Sequence, residues 1–367
     1  MLPGIYIHLP FCRIHCSYCD FPLTTRMNLA EPYYAALRKE LQMRPPELSD
    51  TLYFGGGTPS TTPIAITAEL IHSMPLTADA EITLEANPDD VNDENLQRWR
   101  EAGITRLSLG IQSLETRALQ LMLRRHSADD ALTALEIAKR SGFANISLDL
   151  MLGAPGQTTE GFLFGLSQVL DFRPQHLSLY LLEVHEGTLL NQQILTGKVD
   201  IMSENSQVDC YIEAVKLLTN SGYRHYEVSN FALAGFESRH NLKYWTSAPY
   251  FAYGAGACSY YNKTRIENLR DVGEYIQALA QDRLPIRSKV IEDAETEARN
   301  AVIFGLRKIE GIDVSGFLNK HGIHPLSLFE DDGKFFIQEG FLEEKDGYLR
   351  ITPSGLLVSN EILSSAF

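Results

Sequence analysis

The sequence predicts an α/β protein: a partial (β/α)6, TIM-like barrel followed by a small C-terminal helical or winged domain. Three observations carry this. Six short β-prone runs alternate with amphipathic segments over the first two-thirds of the chain, a pattern that calls for parallel strands joined by helical crossovers. Polar and glycine-rich residues recur just after these runs, where the C-terminal rim of a barrel collects its functional groups. Beyond about residue 290 the pattern changes to charged helical segments and a hairpin signal.

In chain order, the predicted strands are Ile5 to Leu9, Thr51 to Phe54, Glu81 to Ala86, Thr105 to Gly110, Asn145 to Met151 and His176 to Leu182. Each is short, apolar or alternating, and bounded by Gly, Pro or polar residues. Helical periodicity marks Glu31 to Arg44, Ile64 to Ser73, Asp93 to Ala102, Thr116 to Leu123, Asp129 to Ser141, Glu160 to Asp171 and Glu204 to Ser221. Periodicity does not separate an open doubly wound sheet from a curled partial barrel; the rim placement favours the barrel. It takes residues 1–230. Residues 231–290, rich in Tyr, Gly and Asn, read as a connecting region. Residues 291–367 form the C-terminal domain, with a helix from Glu292 to Arg307 and two short strands around Asp346-Gly347.

The net charge of −15 argues against nonspecific binding to nucleic acid or anionic membrane, and the tail has no basic stripe for DNA. The first residues lack a basic segment followed by an apolar run, and no stretch of about 18 apolar residues occurs. A soluble, cytoplasmic protein with no membrane span is expected. Three of the five cysteines fall within eight residues, which suits metal ligation in a reducing compartment better than disulfides. Cys210 and Cys258 read as buried small hydrophobes.

The trio Cys12, Cys16 and Cys19 has the spacing Cys-x3-Cys-x2-Cys. It fits a structural zinc completed by His8 or His15, or an iron-sulfur cube with one iron left without a protein ligand. The run Gly55-Gly56-Gly57-Thr58 makes either a tight turn or a close backbone approach to a ligand. It lacks the Lys-Ser/Thr of a nucleotide P-loop. Arg124 alone would pass for a surface charge, whereas Asp149 in an apolar strand needs a partner.

Taken together, the cysteine spacing, the aromatic Tyr18 before the third cysteine and the glycine run after the second strand resemble the radical S-adenosylmethionine proteins. Within them the chain resembles the group that contains the oxygen-independent coproporphyrinogen III dehydrogenases and related haem chaperones. The matching segments are Tyr6 to Cys12, Gly55 to Pro59, Glu85 to Pro88, Gly110 to Ser113, Leu148 to Thr158 and His240 to Trp245. The resemblance implies a radical SAM barrel. It implies a [4Fe-4S] cluster on Cys12, Cys16 and Cys19, with S-adenosylmethionine lined by Tyr6, Tyr18, Gly56 and Glu85. Contacts to a second S-adenosylmethionine would fall on Gly57, Thr58, Gln112, Arg124 and Asp149. An electron donor is implied as a partner.

Two departures separate this chain from the dehydrogenases: Phe21 stands where they carry a further cysteine, and only eleven residues precede Cys12. The chaperone type carries a His-Asn-x-x-Tyr-Trp signature linked to haem, which His240, Asn241, Tyr244 and Trp245 match. On a helix these four group on one side, and imidazole is a common haem ligand. From the residues alone, a helix end packed into a domain junction is the preferred reading; the resemblance reverses it. His126, His176 and His225 carry no such signature and read as structural. The resemblance implies a protein that binds haem and passes it to acceptor apoproteins. The alternatives are coproporphyrinogen III oxidation in porphyrin biosynthesis and a zinc-structured binding protein.

Overall fold

The computed structural model describes residues 1–366. Six β/α units come first: β1 (Gly4–Leu9), α1 (Ala30–Met43), β2 (Ser49–Gly56), α2 (Ile64–Ser73), β3 (Leu76–Ala86), α3 (Asp93–Glu101) and β4 (Arg106–Gln112). They continue through α4 (Thr116–Leu121), α5 (Ala128–Arg140), β5 (Ile146–Leu152), α6 (Thr159–Asp171), β6 (His176–Leu181), α7 (Leu189–Leu195) and α8 (Glu204–Asn220). The strands from β1 to β6 pair in order and in parallel, as expected. Side-chain caps start several helices. Ser127 and Asp130 form a reciprocal capping box at α5, and Ser203 caps α8, each cap contributing about 1 kcal/mol.

The sheet does not stop at six strands. Residues 231–290, expected as a connecting region, belong largely to the same sheet. Strands β7 (Arg224–Glu227) and β8 (Asn230–Ala232) extend it beyond β6. At the other side β9 (Tyr250–Tyr253) pairs in parallel with β1, and β10 (Cys258–Tyr261), β11 (Thr264–Asn268) and β12 (Ile286–Ile291) follow antiparallel. Helix α9 (Arg239–Trp245) precedes β9, and α10 (Val272–Ala280) packs on α1. These short Tyr-rich strands lack the clean alternation that marks a half-buried strand, which is why periodicity alone does not find them.

Strand parity divides the barrel into two chemistries. Ile5, Ile7, Leu52, Phe54, Leu84, Leu107, Leu109, Leu148, Leu177 and Leu179 are buried in one hydrophobic cluster with the surrounding helices, each contributing about 1.5–3 kcal/mol. The alternate positions face inward and are polar: Thr51 and Tyr53, Thr83 and Glu85, Arg106 and Ser108, Ser147 and Asp149, His176 and Ser178. A TIM barrel normally fills its interior with branched apolar side chains. Here the lumen is a hydrogen-bonding surface.

The C-terminal unit has its own core, including Val302, Leu306, Phe317, Phe329, Leu349 and Ile362. It comprises α11 (Ala294–Gly305), β13 (Ile312–Asp313), α12 (Val314–His321), α13 (Glu330–Gln338), β14 (Leu342–Lys345), β15 (Tyr348–Ile351) and α14 (Ser359–Ser364). Asp346 and Gly347 both take positive φ, 53° and 83°, the two-residue turn that matches strand twist in a hairpin. The unit docks on the barrel edge, where the Val228 amide donates to the Arg307 carbonyl at 2.9 Å and the Ile309 amide to that of Tyr226 at 3.1 Å. Among the described residues, no helix is long and apolar enough to cross a membrane.

Candidate functional site

The cysteine loop leaves β1 at the C-terminal rim and is tied down from several directions. The Cys12 amide donates to Thr24 O at 3.0 Å, the Ser17 amide to Met122 O at 3.2 Å, and the Leu190 amide to Ser17 O at 2.7 Å. From below, His8 Nε2 lies 2.7 Å from Pro22 O. A carbonyl only accepts, so Nε2 carries the proton, and Nδ1 accepts from the Tyr6 hydroxyl at 3.1 Å. Both His8 nitrogens are thus engaged, and His15 Nε2 is 3.0 Å from Cys19 O. His8 therefore has no free nitrogen with which to complete a zinc site.

All three thiols are free. Cys12 Sγ lies 3.3 Å from Thr58 Oγ1, and Arg124 Nη1 lies 3.7 Å from Cys16 Sγ. Burial raises the Cys12 thiol pKa and pushes that of Cys19 up to about 12, so thiolates here call for a bound cation to replace the protons. The glycine run serves close approach rather than a turn alone. A Cβ on Gly57 would stand 2.9 Å from Cys12 Sγ and 2.7 Å from the Pro10 carbonyl carbon. Gly56, at φ +120°, would press a Cβ to 2.8 Å from the His8 ring. Donor type, loop anchoring and glycine clearance fit an iron-sulfur cube.

The remaining candidate residues come from strands β2 to β5, from the cysteine loop and from the segment after α4. Glu85 accepts from the Tyr53 hydroxyl at 2.8 Å and the Gly56 amide at 3.2 Å. Burial, reinforced by Asp149, raises its pKa from 4.5 to about 7. Asp149 accepts from Ser108 Oγ at 3.3 Å, and burial raises its pKa as well. Arg124 is no surface charge: Nη2 donates to Asn87 Oδ1 and Gly110 O, both at 2.6 Å, while its buried Nε has no partner. Gln112 sits at a β4 bulge with φ +66°, a conformation that costs about 1–3 kcal/mol and gathers at functional sites. Tyr18 packs beside Met122 and Leu119, and burial raises its pKa.

Glu85 makes a pH prediction. Its folded-state pKa is above the ordinary value, so its contribution to stability is full below pH 4.5 and is lost as pH rises through about 7. Glu85→Gln removes that loss. Its stability relative to wild type is expected to rise by about 2 kcal/mol between pH 5 and 8 in urea titrations; a difference independent of pH would contradict the raised pKa.

The His240 set lies elsewhere, at the base of the barrel beside the N-terminal ends of β1 and β2. The imidazole lies 5.2 Å from the Tyr53 ring and 6.4 Å from that of Tyr6, and the Tyr53 hydroxyl reaches Glu85 at the rim, so one layer of rings separates the two sets. A Cβ on Gly4 would be 2.7 Å from Thr51 Oγ1 and 3.1 Å from His240 Nδ1. His240 is 1% exposed. Its Nδ1 is 2.8 Å from Thr51 Oγ1 and its Nε2 2.9 Å from the Tyr244 hydroxyl. Its amide donates to Glu81 at 3.1 Å, and burial, then Lys243, lowers its pKa to about 3. Tyr244 meets Tyr250 edge-on at 4.7 Å. Trp245 faces Phe304 at 6.5 Å, with Arg307 5.3 Å over its ring. Asn241 is half-buried, its amide capped by Ser238. The residues suit haem in chemistry, a neutral imidazole among aromatic rings, but the iron-binding nitrogens are covered.

Of the other histidines, His176 bonds Ser147 and Tyr226 in the core. His225 stacks on Phe231. His126 is buried, with Nε2 3.0 Å from Ile111 O. Arg106, which sequence reasoning passed over, is 2% exposed and aimed into the lumen, its Nε without a partner. The signal was present: Arg106-x-Ser108 keeps the same two-residue spacing as Tyr53, Glu85 and Asp149 keep with their inward neighbours.

A barrel with a rim-bound cysteine trio and this glycine approach defines a radical SAM protein, and residues 6–163 match the Radical SAM superfamily. Residues 293–358 match the HemN C-terminal domain. The chain is 33% identical to heme chaperone HemW of Bacillus subtilis, covering 99% of each chain, and 32% identical to that of Lactococcus lactis, covering 97% and 95%. It belongs to the heme chaperone HemW family. In fold it is similar to coproporphyrinogen III oxidase (HemN) from Escherichia coli, with a TM-score of 0.86 at 24% identity over 100% of this chain and 90% of that one.

Proposed function

We propose that this chain is a haem chaperone, which binds haem and delivers it to acceptor apoproteins from a radical SAM scaffold. The observation that carries this reading is the end-to-end correspondence with heme chaperones, through barrel, base helix and C-terminal unit alike. Cys12, Cys16 and Cys19 would hold the [4Fe-4S] cluster. Bound there, the cluster would bind S-adenosylmethionine at its free iron and, reduced by an external donor, supply an electron to the sulfonium.

The chain's own residues would orient that cofactor. Tyr6, Tyr18, Gly56 and Glu85 would line the S-adenosylmethionine on the cluster; Gly57, Thr58, Gln112, Arg124 and Asp149 would contact a second one. Arg124 would pair a carboxylate, and Glu85 and Asp149 would accept from hydroxyl or ammonium groups. His240, Asn241, Tyr244 and Trp245 would receive haem at the base. A division into a barrel with its lateral strands, to about residue 290, and a C-terminal unit goes with this reading.

The test is anaerobic reconstitution with iron and sulfide, titration with hemin, and mixing with an apo-haemoprotein. Haem uptake followed by transfer is expected. Conversion of coproporphyrinogen III in the presence of reductant and S-adenosylmethionine would favour the oxidase reading instead. Phe21, 65% exposed at the position of the dehydrogenases' additional cysteine, speaks for the chaperone.

A further inference from the structure

We infer that helix α9 is a closed latch, in which the Tyr244 hydroxyl occupies the His240 nitrogen that haem iron would take. This rests on the haem reading above and goes past it by assigning Tyr244 the opposite role to a haem contact. Two clasps hold the helix.

The inner clasp is the imidazole itself. A phenol is a stronger proton donor than an aliphatic hydroxyl, so Tyr244 donates to Nε2, and the Nδ1 proton is left to donate to Thr51 Oγ1. That tautomer presents Nε2 as a lone pair, the form a metal requires, with Thr51 orienting the ring from behind. The phenol proton thus stands where a Lewis-acid iron would stand. Ligation breaks the Tyr244 hydrogen bond and forms an iron–Nε2 bond; no proton leaves the ring.

The outer clasp is shared between the C-terminal unit and the start of the barrel. Arg307 lies over the Trp245 ring and Phe304 faces it, while Lys243 donates to Leu2 O at 2.8 Å and pairs with Asp50 at 2.6 Å. With His240 1% exposed, a macrocycle cannot reach Nε2 unless the helix and its clasp separate.

The experiment is stopped-flow hemin binding, read from the optical spectrum, on full-length wild type, Tyr244→Phe, Arg307→Ala and His240→Ala. Hydrogen exchange of residues 238–246 provides the second readout. Tyr244→Phe frees Nε2 and is expected to bind hemin about fivefold faster or tighter. Arg307→Ala is expected to speed binding and to raise exchange in this segment without haem. Haem-loaded wild type should exchange faster there than the haem-free chain. Weaker or unchanged binding in Tyr244→Phe, with binding abolished in His240→Ala, would overturn the latch and leave the haem site standing. Unchanged binding in His240→Ala would remove His240 as ligand and the haem reading of this helix with it. Should Tyr244→Phe not fold, Arg307→Ala and the exchange comparison decide, and unaltered rate and protection there would overturn the latch.

Discussion

Cys12→Ala, reconstituted anaerobically beside wild type, is expected to retain less than about a tenth of the bound iron and sulfide, with the cluster absorbance and the reduced-state EPR signal lost. The effect is large because the loop has no fourth thiol to replace the one removed. His8 is committed at both nitrogens and His15 is turned to the Cys19 carbonyl. The fold itself should survive, since Cys12 Sγ contributes one contact to Thr58 and the loop is held by backbone bonds at Thr24, Met122 and Leu190. Retention of a four-iron cluster by this variant would refute the assignment of the trio. A wild type that takes up zinc and no iron would do the same.

Arg106→Met is expected to destabilise the protein by about 1–3 kcal/mol at neutral pH, through the loss of its charge rather than of a direct ion pair. Arg106 is the buried cation among inward-facing acids: it opposes the rise in the pKa of both Glu85 and Asp149. Without it those carboxyls hold their protons to higher pH, and the loss of stability that ends near pH 7 in wild type extends upward. Urea titrations at pH 5 and pH 8 check this. The destabilisation should be smaller at pH 5, where Glu85 is protonated, and Arg106→Lys should recover part of it. Equal destabilisation at both values would mean that packing, not charge, is lost.

Much of this fold is legible in the chain because six strands and their helices obey strong periodicities; the predicted runs at Ile5, Thr51, Glu81, Thr105, Asn145 and His176 each fall on one of strands β1 to β6, with Thr105, Asn145 and Leu182 lying one residue outside. The cysteine loop and Gly57-Thr58 are legible for the same reason, since they follow strand ends, and Gly56, Glu85 and Gln112 lie in the last two residues of theirs; Arg124, after α4, and Asp149, in mid-strand, are not marked that way. The lateral strands β9 to β12 are not, because their pairing with β1 depends on tertiary contact rather than pattern. Nor is the burial of His240: helical spacing groups it with Tyr244 and Trp245 without saying whether that face meets solvent or the lumen. The polar lumen lies in between. Its two-residue spacing is written in the strands, but only closure of the barrel shows that alternate positions face a common interior.

The parallel pairing of β1 with β9 has a consequence for biogenesis. The first strand made is completed on one side by a segment that leaves the ribosome roughly 240 residues later, about 12–50 s at ordinary elongation rates of about 5–20 residues per second. The cysteine loop likewise waits for anchors at Met122 and Leu190. The cysteine loop is therefore fixed only after most of the chain has been made, and until then the fold gives its three thiols no protection.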